Sequence, residues 1–126
     1  MVTTSATYDP TAEAPHESRE LVREFLADQD ADDLSPAGEL LVTELVSNVV
    51  RHARTSIELD LEWDDDTLRV EVRDGSSILP AVVELGNKDG GYGLRLVEAL
   101  AHDWGVRPLD HGKAIWCTVS RRSGGA

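Results

Sequence analysis

Two alternating segments separated by three aspartates constrain this chain more than any other feature. In IELDLEW, Ile57, Leu59, Leu61 and Trp63 fall on one face of an extended chain; in TLRVEVR, Leu68, Val70 and Val72 do the same. A period of two is that of a half-buried strand, and the aspartates at 64–66 supply the turn. The chain must therefore hold an antiparallel hairpin with one apolar face, and other elements must cover that face. AIWCTVS, 114–120, repeats the alternation with Ile115, Cys117 and Val119, and WGVRP before it reads as another strand. Residues 6–9 read as a short edge strand.

The covering elements are helical. From Glu13 to Ala27, Leu21, Val22, Phe25 and Leu26 recur at i, i+1, i+4 and i+5, which predicts an amphipathic helix. DQDADD follows as an acidic connection. Ser35 then Pro36 predicts a helix start with the serine as cap, and that helix should run to about Ala53. Residues 81–91 read as a loop with a helical turn, and LRLVEALA, 94–101, as a short helix opened by glycines. Helices and antiparallel strands come in blocks, without strict βαβ alternation. The expected class is α+β: a two-layer α/β sandwich, with a mixed, mostly antiparallel sheet covered on one face by helices. With 126 residues, one domain over 1–126 is expected, with ends at about 1–5 and 121–126 flexible.

Charge narrows the partners. A net charge of −12 repels phosphate backbones and anionic lipid, so no direct nucleic-acid or membrane binding is expected. One cysteine, Cys117, cannot form an internal disulfide. With no basic-then-apolar leader and only short apolar runs, a cytoplasmic location is expected.

The long helix carries an anomaly. At about 100° per residue, Leu41, Val42, Leu45, Val46, Val49, Val50 and Ala53 share one arc. Glu44, Asn48 and His52 form a slanted row along its border, with His52 inside the arc. Such a row would be half sheltered, with room for something to bind against it. Taken alone, it also reads as two solvated polar residues and a boundary histidine.

Two further features bear on that row. VEVRDGSSILP ends a hydrophobic strand with Asp74, which initiates a turn or accepts a hydrogen bond from an amine in a pocket. DGGYGLRLVEAL sets glycines directly before a helix, where backbone approaches a phosphate closely and free N–H groups point outward. Each signal is weak by itself, and Lys88 lies in the same loop.

In this order, the three features resemble the Bergerat ATP-binding fold of the GHKL superfamily, which includes gyrase, histidine kinases, heat-shock chaperones and MutL-type repair proteins. ELVSNVVRH resembles its N box, with Glu44 and Asn48 in the E-x-x-x-N spacing. Asp74 to Pro80 resembles the first glycine box, and Gly91-Tyr92-Gly93-Leu94 the second. SPAGELLVTELVSNVVRHA, GLRLVEALAHDWGV and GKAIWCTV are similar to the small actinobacterial ATPases grouped with anti-sigma-factor serine/threonine kinases of the RsbW and SpoIIAB type. The resemblance implies ATP and Mg²⁺, with Asn48 as metal ligand and Glu44 as general base. It also implies that Asp74, beside Ser76, reads the adenine amine. Gly91, Gly93 and the N–H of Leu94 would cradle phosphates, residues 81–90 would form a short lid, and His52 would have a structural role. The implied partners are an anti-anti-sigma protein of the STAS fold, as substrate, and a sigma factor; such kinases often dimerise. An ATP-gated binding module with little kinase activity is the alternative.

Two motifs depart from the pattern. The first glycine box holds Ser76 and Ile78 where glycines are usual. Gly112-Lys113 stands where the superfamily often has Gly-Thr, so the threonine that helps hold adenine through water is missing. A separate decoy lies in DQDADDLSPAGE, where Asp28, Asp30, Asp32 and Glu39 occupy positions 1, 3, 5 and 12 of a calcium loop. Asp33 replaces the required glycine and Pro36 starts a helix there, so a solvated acidic loop is expected. Trp63, Trp104 and Trp116 are expected in the core or on a sheet face, and Cys117 packed.

Overall fold

A computed structural model of the chain describes residues 1–77 and 94–121. Gly91, Gly93, the expected lid at 81–90, Ile78, Pro80, Lys88 and the tail beyond Arg121 lie outside the described residues.

Five strands form one sheet in the order β1-β2-β3-β5-β4. They are β1 (Val2–Tyr8), β2 (Ile57–Asp64), β3 (Thr67–Asp74), β4 (Asp103–Leu109) and β5 (Gly112–Ser120). The helices are α1 (Ala14–Asp28), α2 (Ser35–Asn48) and α3 (Leu94–Leu100). All four pairings among the described strands are antiparallel, so the α+β sandwich stands, with its sheet antiparallel throughout that set. The edge strand expected at 6–9 begins earlier, at Val2, and pairs along β2.

The central hairpin follows the alternation. Asp65 and Asp66 both have positive φ, 50° and 59°, the backbone of the tight turn whose twist matches paired strands. Ile57, Leu59, Leu61, Leu68, Val70, Val72, Ile115, Cys117 and Val119 are buried beneath the helices. Burial raises the Cys117 thiol pKa to about 12, leaving it a packed, protonated side chain. Trp63 and Trp104 pack at the margin of this core. Trp116 lies on the other face, opposite Glu71 in register, with the Arg69 guanidinium 5.2 Å from its ring centroid. A Cβ on Gly105 would lie 2.9 Å from that ring, so only glycine leaves it room.

The helix α1 presents Val22, Phe25 and Leu26 to the core. It ends where Asp30 takes φ 53° and the N–H groups of Asp30 and Ala31 close on Ala27 and Leu26 carbonyls. That is the Schellman arrangement, with aspartate at the left-handed position usually held by glycine. A 3₁₀ turn, Asp32–Leu34, leads directly into α2. Ser35 is therefore already helical and does not cap as the sequence predicts; Leu34 is the N-cap, and the Ser35 hydroxyl donates to Glu39 Oε2 at 2.6 Å. Gly38 admits the close approach of α1 and the sheet: a Cβ there would lie 3.0 Å from Leu68 and 3.2 Å from Val22.

The acidic connection is held by protein rather than left to solvent. Arg121, at the end of β5, donates to both oxygens of Asp33, to the Asp30 carbonyl and to Asp66, and its guanidinium lies 5.6 Å from the Trp63 ring centroid. The hydrogen bonds from Arg121 hold the Asp33 pKa below its ordinary value. No described helix is long and apolar enough to cross a membrane.

Candidate functional site

The long helix keeps its helical path to Ala53, but its last turn changes type. Val49–Ala53 is a π-turn, closed by the Arg54 N–H on the Val49 carbonyl at 2.7 Å and ended by Arg54 with φ 56°. Such wide turns occur mostly as single interruptions of α-helices, frequently at functional sites. The wider turn delays each following side chain relative to the 100° spacing. His52 consequently stands exposed, where the α-helical wheel puts it inside the apolar arc. Asn48, the last residue before the change, is the deepest of the polar row, at 4 % exposure. Glu44 is half-buried one turn earlier.

Below this turn the sheet's inner face ends in polar residues. Asp74 closes β3 and Lys113 lies directly opposite it on β5. Lys113 Nζ sits 3.0 Å from Asp74 Oδ1 and 2.9 Å from Oδ2, with both side chains almost wholly buried. The Ser76 N–H donates to Asp74 Oδ1 at 2.8 Å, and the neighbouring Gly75 N–H to Thr55 Oγ1 at 2.8 Å. The strand end is thus held by hydrogen bonds from both sides. Gly112 precedes the lysine with φ 134°, and a Cβ there would run into the Asp74 carbonyl oxygen. Glycine at 112 is what lets β5 pass close enough for Lys113 to reach the carboxylate.

Helix end and sheet end enclose one cavity. Its apolar wall is Leu45, Val49 and Ala53 from the helix and Val72 and Ile115 from the sheet. Its polar lining is Asn48, His52, Asp74, Ser76 and Lys113. An apolar slot with a few convergent polar groups is the form a small-molecule site takes. At one end stands a carboxylate; at the other, a buried amide whose Oδ1 accepts a hydrogen bond from Arg51 Nη2 at 3.1 Å.

Of the residues singled out from sequence, Asn48, Asp74 and Ser76 meet in this cavity. Glu44 lies outside its lining among the described residues. Leu94 opens α3 with its side chain buried in the core, also outside the lining. Gly91 and Gly93 are not among the described residues. Two participants were not assigned to a site in the sequence reading. In the sequence Lys113 stands only where a threonine is missing, and Arg51 carries no site signal. The sequence signal for Lys113 was its place in a strand whose alternation points it inward.

The sequence model of the histidine kinase-like ATPase domain matches residues 4–119. No curated protein is significantly similar in sequence. Among solved structures, the chain superposes on the RsbU and RsbW domains of Rv1364c from Mycobacterium tuberculosis with a TM-score of 0.66 and 22 % identity, over 95 % of this chain and 32 % of that one. It superposes on the histidine kinase domain of the blue-light activated histidine kinase EL346 from Erythrobacter litoralis with a TM-score of 0.55 and 17 % identity, over 84 % of this chain and 58 % of that one. At these identities the likeness is one of fold, and this chain spans about a third and somewhat over half of the two.

Proposed function

The chain belongs to the histidine kinase-like ATPase family, and on that footing we propose that it is an ATP- and Mg²⁺-dependent protein serine/threonine kinase of the anti-sigma type. Its substrate would be an anti-anti-sigma protein of the STAS fold, and its regulatory partner a sigma factor. The observation that carries this reading is the cavity that brings Asn48 and Asp74 together from the end of α2 and the end of β3. An ATPase of this family needs an acceptor at the base end of its slot and a hard oxygen ligand at the phosphate end, and these two residues have that chemistry.

In the proposed mechanism Asp74 orients the base, and the apolar wall from Leu45 to Ile115 excludes water from around it. Asn48 would hold Mg²⁺ through Oδ1, the oxygen that now accepts from Arg51, and a bound ion would supply charge neutralisation at the phosphates. Glu44 accepts the proton of the substrate's serine or threonine hydroxyl. That oxygen bonds to the terminal phosphorus, and the bond to the departing ADP oxygen breaks. Catalysis in such a transfer is mostly positioning and charge neutralisation. The N–H groups of Gly91, Gly93 and Leu94 are proposed to hold the phosphates.

The competing reading, an ATP-gated binding module, draws on one observation: Glu44 lies outside the described lining of the cavity. Transfer of labelled phosphate to STAS-domain proteins of the same genome separates the two. The kinase reading expects transfer by the wild type, and a Glu44→Ala variant that still binds ATP but transfers at least a hundredfold more slowly, the low end of general-base effects. Unchanged transfer by Glu44→Ala would remove Glu44 as the base. ATP binding with no transfer to any STAS protein would favour the binding module.

A further inference from the structure

Lys113 occupies the place where the adenine-holding threonine was expected and instead meets Asp74. A buried lysine beside a carboxylate has a plain structural reading, the neutralisation of one buried charge by another. The donor and acceptor inventory leaves more than that. An ammonium has three N–H groups, and the two Asp74 oxygens take at most two of them. No other partner of Lys113 Nζ is found among the described residues. At least one N–H is therefore unspent in a side chain that lines the cavity. On the carboxylate, Oδ1 accepts from both Ser76 and Lys113, whereas among the described residues Oδ2 has only the ion pair with Lys113 Nζ at 2.9 Å. An ionised carboxylate has about four acceptor sites, so Oδ2 keeps one to offer.

The pair thus presents an acceptor and a donor side by side, both fixed to adjacent strands by the register of Asp74 with Lys113. The complementary partner is a ring edge with a donor next to an acceptor. In a 6-aminopurine these are the exocyclic amine and the ring nitrogen N1. We infer that Lys113 is a base-reading residue: its ammonium donates directly to N1 of the purine while Asp74 Oδ2 accepts from the amine. This rests on the nucleotide reading of the cavity and deepens it. The lysine supplies, by a direct charged hydrogen bond, an adenine contact in place of the one the missing threonine would help make through water. Hydrogen bonds from charged donors are stronger than neutral ones, and a buried charged donor left facing a C–H is penalised.

The test varies one atom of the ligand on the unaltered protein. Binding of ATP is compared with binding of 1-deaza-ATP, in which N1 is replaced by C–H, by calorimetry in the presence of Mg²⁺. Direct donation from Lys113 predicts that 1-deaza-ATP binds at least about tenfold more weakly than ATP. In Lys113→Met, of similar volume and without the donor, the discrimination between the two nucleotides should disappear. Equal binding of ATP and 1-deaza-ATP by the wild type would overturn the role given to Lys113 and leave the nucleotide site standing. So would undiminished discrimination in Lys113→Met. Binding of neither nucleotide by the wild type would remove both the role and the nucleotide site beneath it.

Discussion

Gly112 shows how much of the site hangs on one atom. With φ 134° and the Asp74 carbonyl where a Cβ would go, Gly112→Ala must strain its own backbone or push the two strand ends apart. A loss of about 3 kcal/mol in folding free energy is expected, read as a lower midpoint in chemical denaturation. Binding at the cavity should weaken with it, because Lys113 is the next residue. Neither effect is visible in the sequence, where Gly112-Lys113 marks only the place of a missing threonine. The same holds for Asn48. The E-x-x-x-N spacing picks it out, but only the structure shows its oxygen already accepting a hydrogen bond from Arg51.

Strands were more legible than helix ends, for a physical reason. A strand's alternation is set residue by residue, so the inward sets of β2, β3 and β5 could be read directly. Where a helix starts and how its last turn closes depend on a single backbone hydrogen bond. That is why the sequence places Ser35 one step outside its helix and why the π-turn after Asn48 leaves no mark in the pattern. The outer face of the sheet was read least well. Glu71, facing away from the helices, is nonetheless buried. It accepts hydrogen bonds from Arg69, Arg73 and Arg107, while Arg73 also reaches Asp60 and Glu58. Burial alone would raise the Glu71 pKa, but the hydrogen bonds from Arg73, Arg69 and Arg107 outweigh it and the net shift is downward from 4.5. A carboxylate lowered on folding contributes stability that is complete above its unfolded pKa and is lost as pH falls through the folded one. Glu71→Gln should therefore cost about 2 kcal/mol near neutral pH, less than a fully buried pair because the arginines stay partly solvated. Denaturation curves of variant and wild type should converge as the pH is lowered below about 4.5. A difference that stays constant into acid would show that the carboxylate's charge is not what holds this face.

The layered architecture follows from the chain's pattern of apolar residues: one hairpin face that must be covered, helices with apolar arcs to cover it, and polar residues left where the arcs end. The cavity forms at that margin, between the π-turn, the last residues of β3 and the first residues of β5. Its pairing of Asp74 with Lys113 is illegible in the sequence because β3 and β5 become neighbours only in the folded sheet, with residues 75–111 between Asp74 and the start of β5. As proposed above, this margin would bind a magnesium-complexed adenine nucleotide through Asn48 and Asp74. Its most direct test is the melting temperature of wild type and Asn48→Ala with and without Mg-ATP. A ligand at a hundredfold its Kd stabilises the folded state by about 2.7 kcal/mol, a shift of several degrees for a chain of this size. That rise is expected for the wild type, and a clearly smaller one for Asn48→Ala. An unchanged wild-type melting temperature at millimolar Mg-ATP, or the same rise in both proteins, would contradict it.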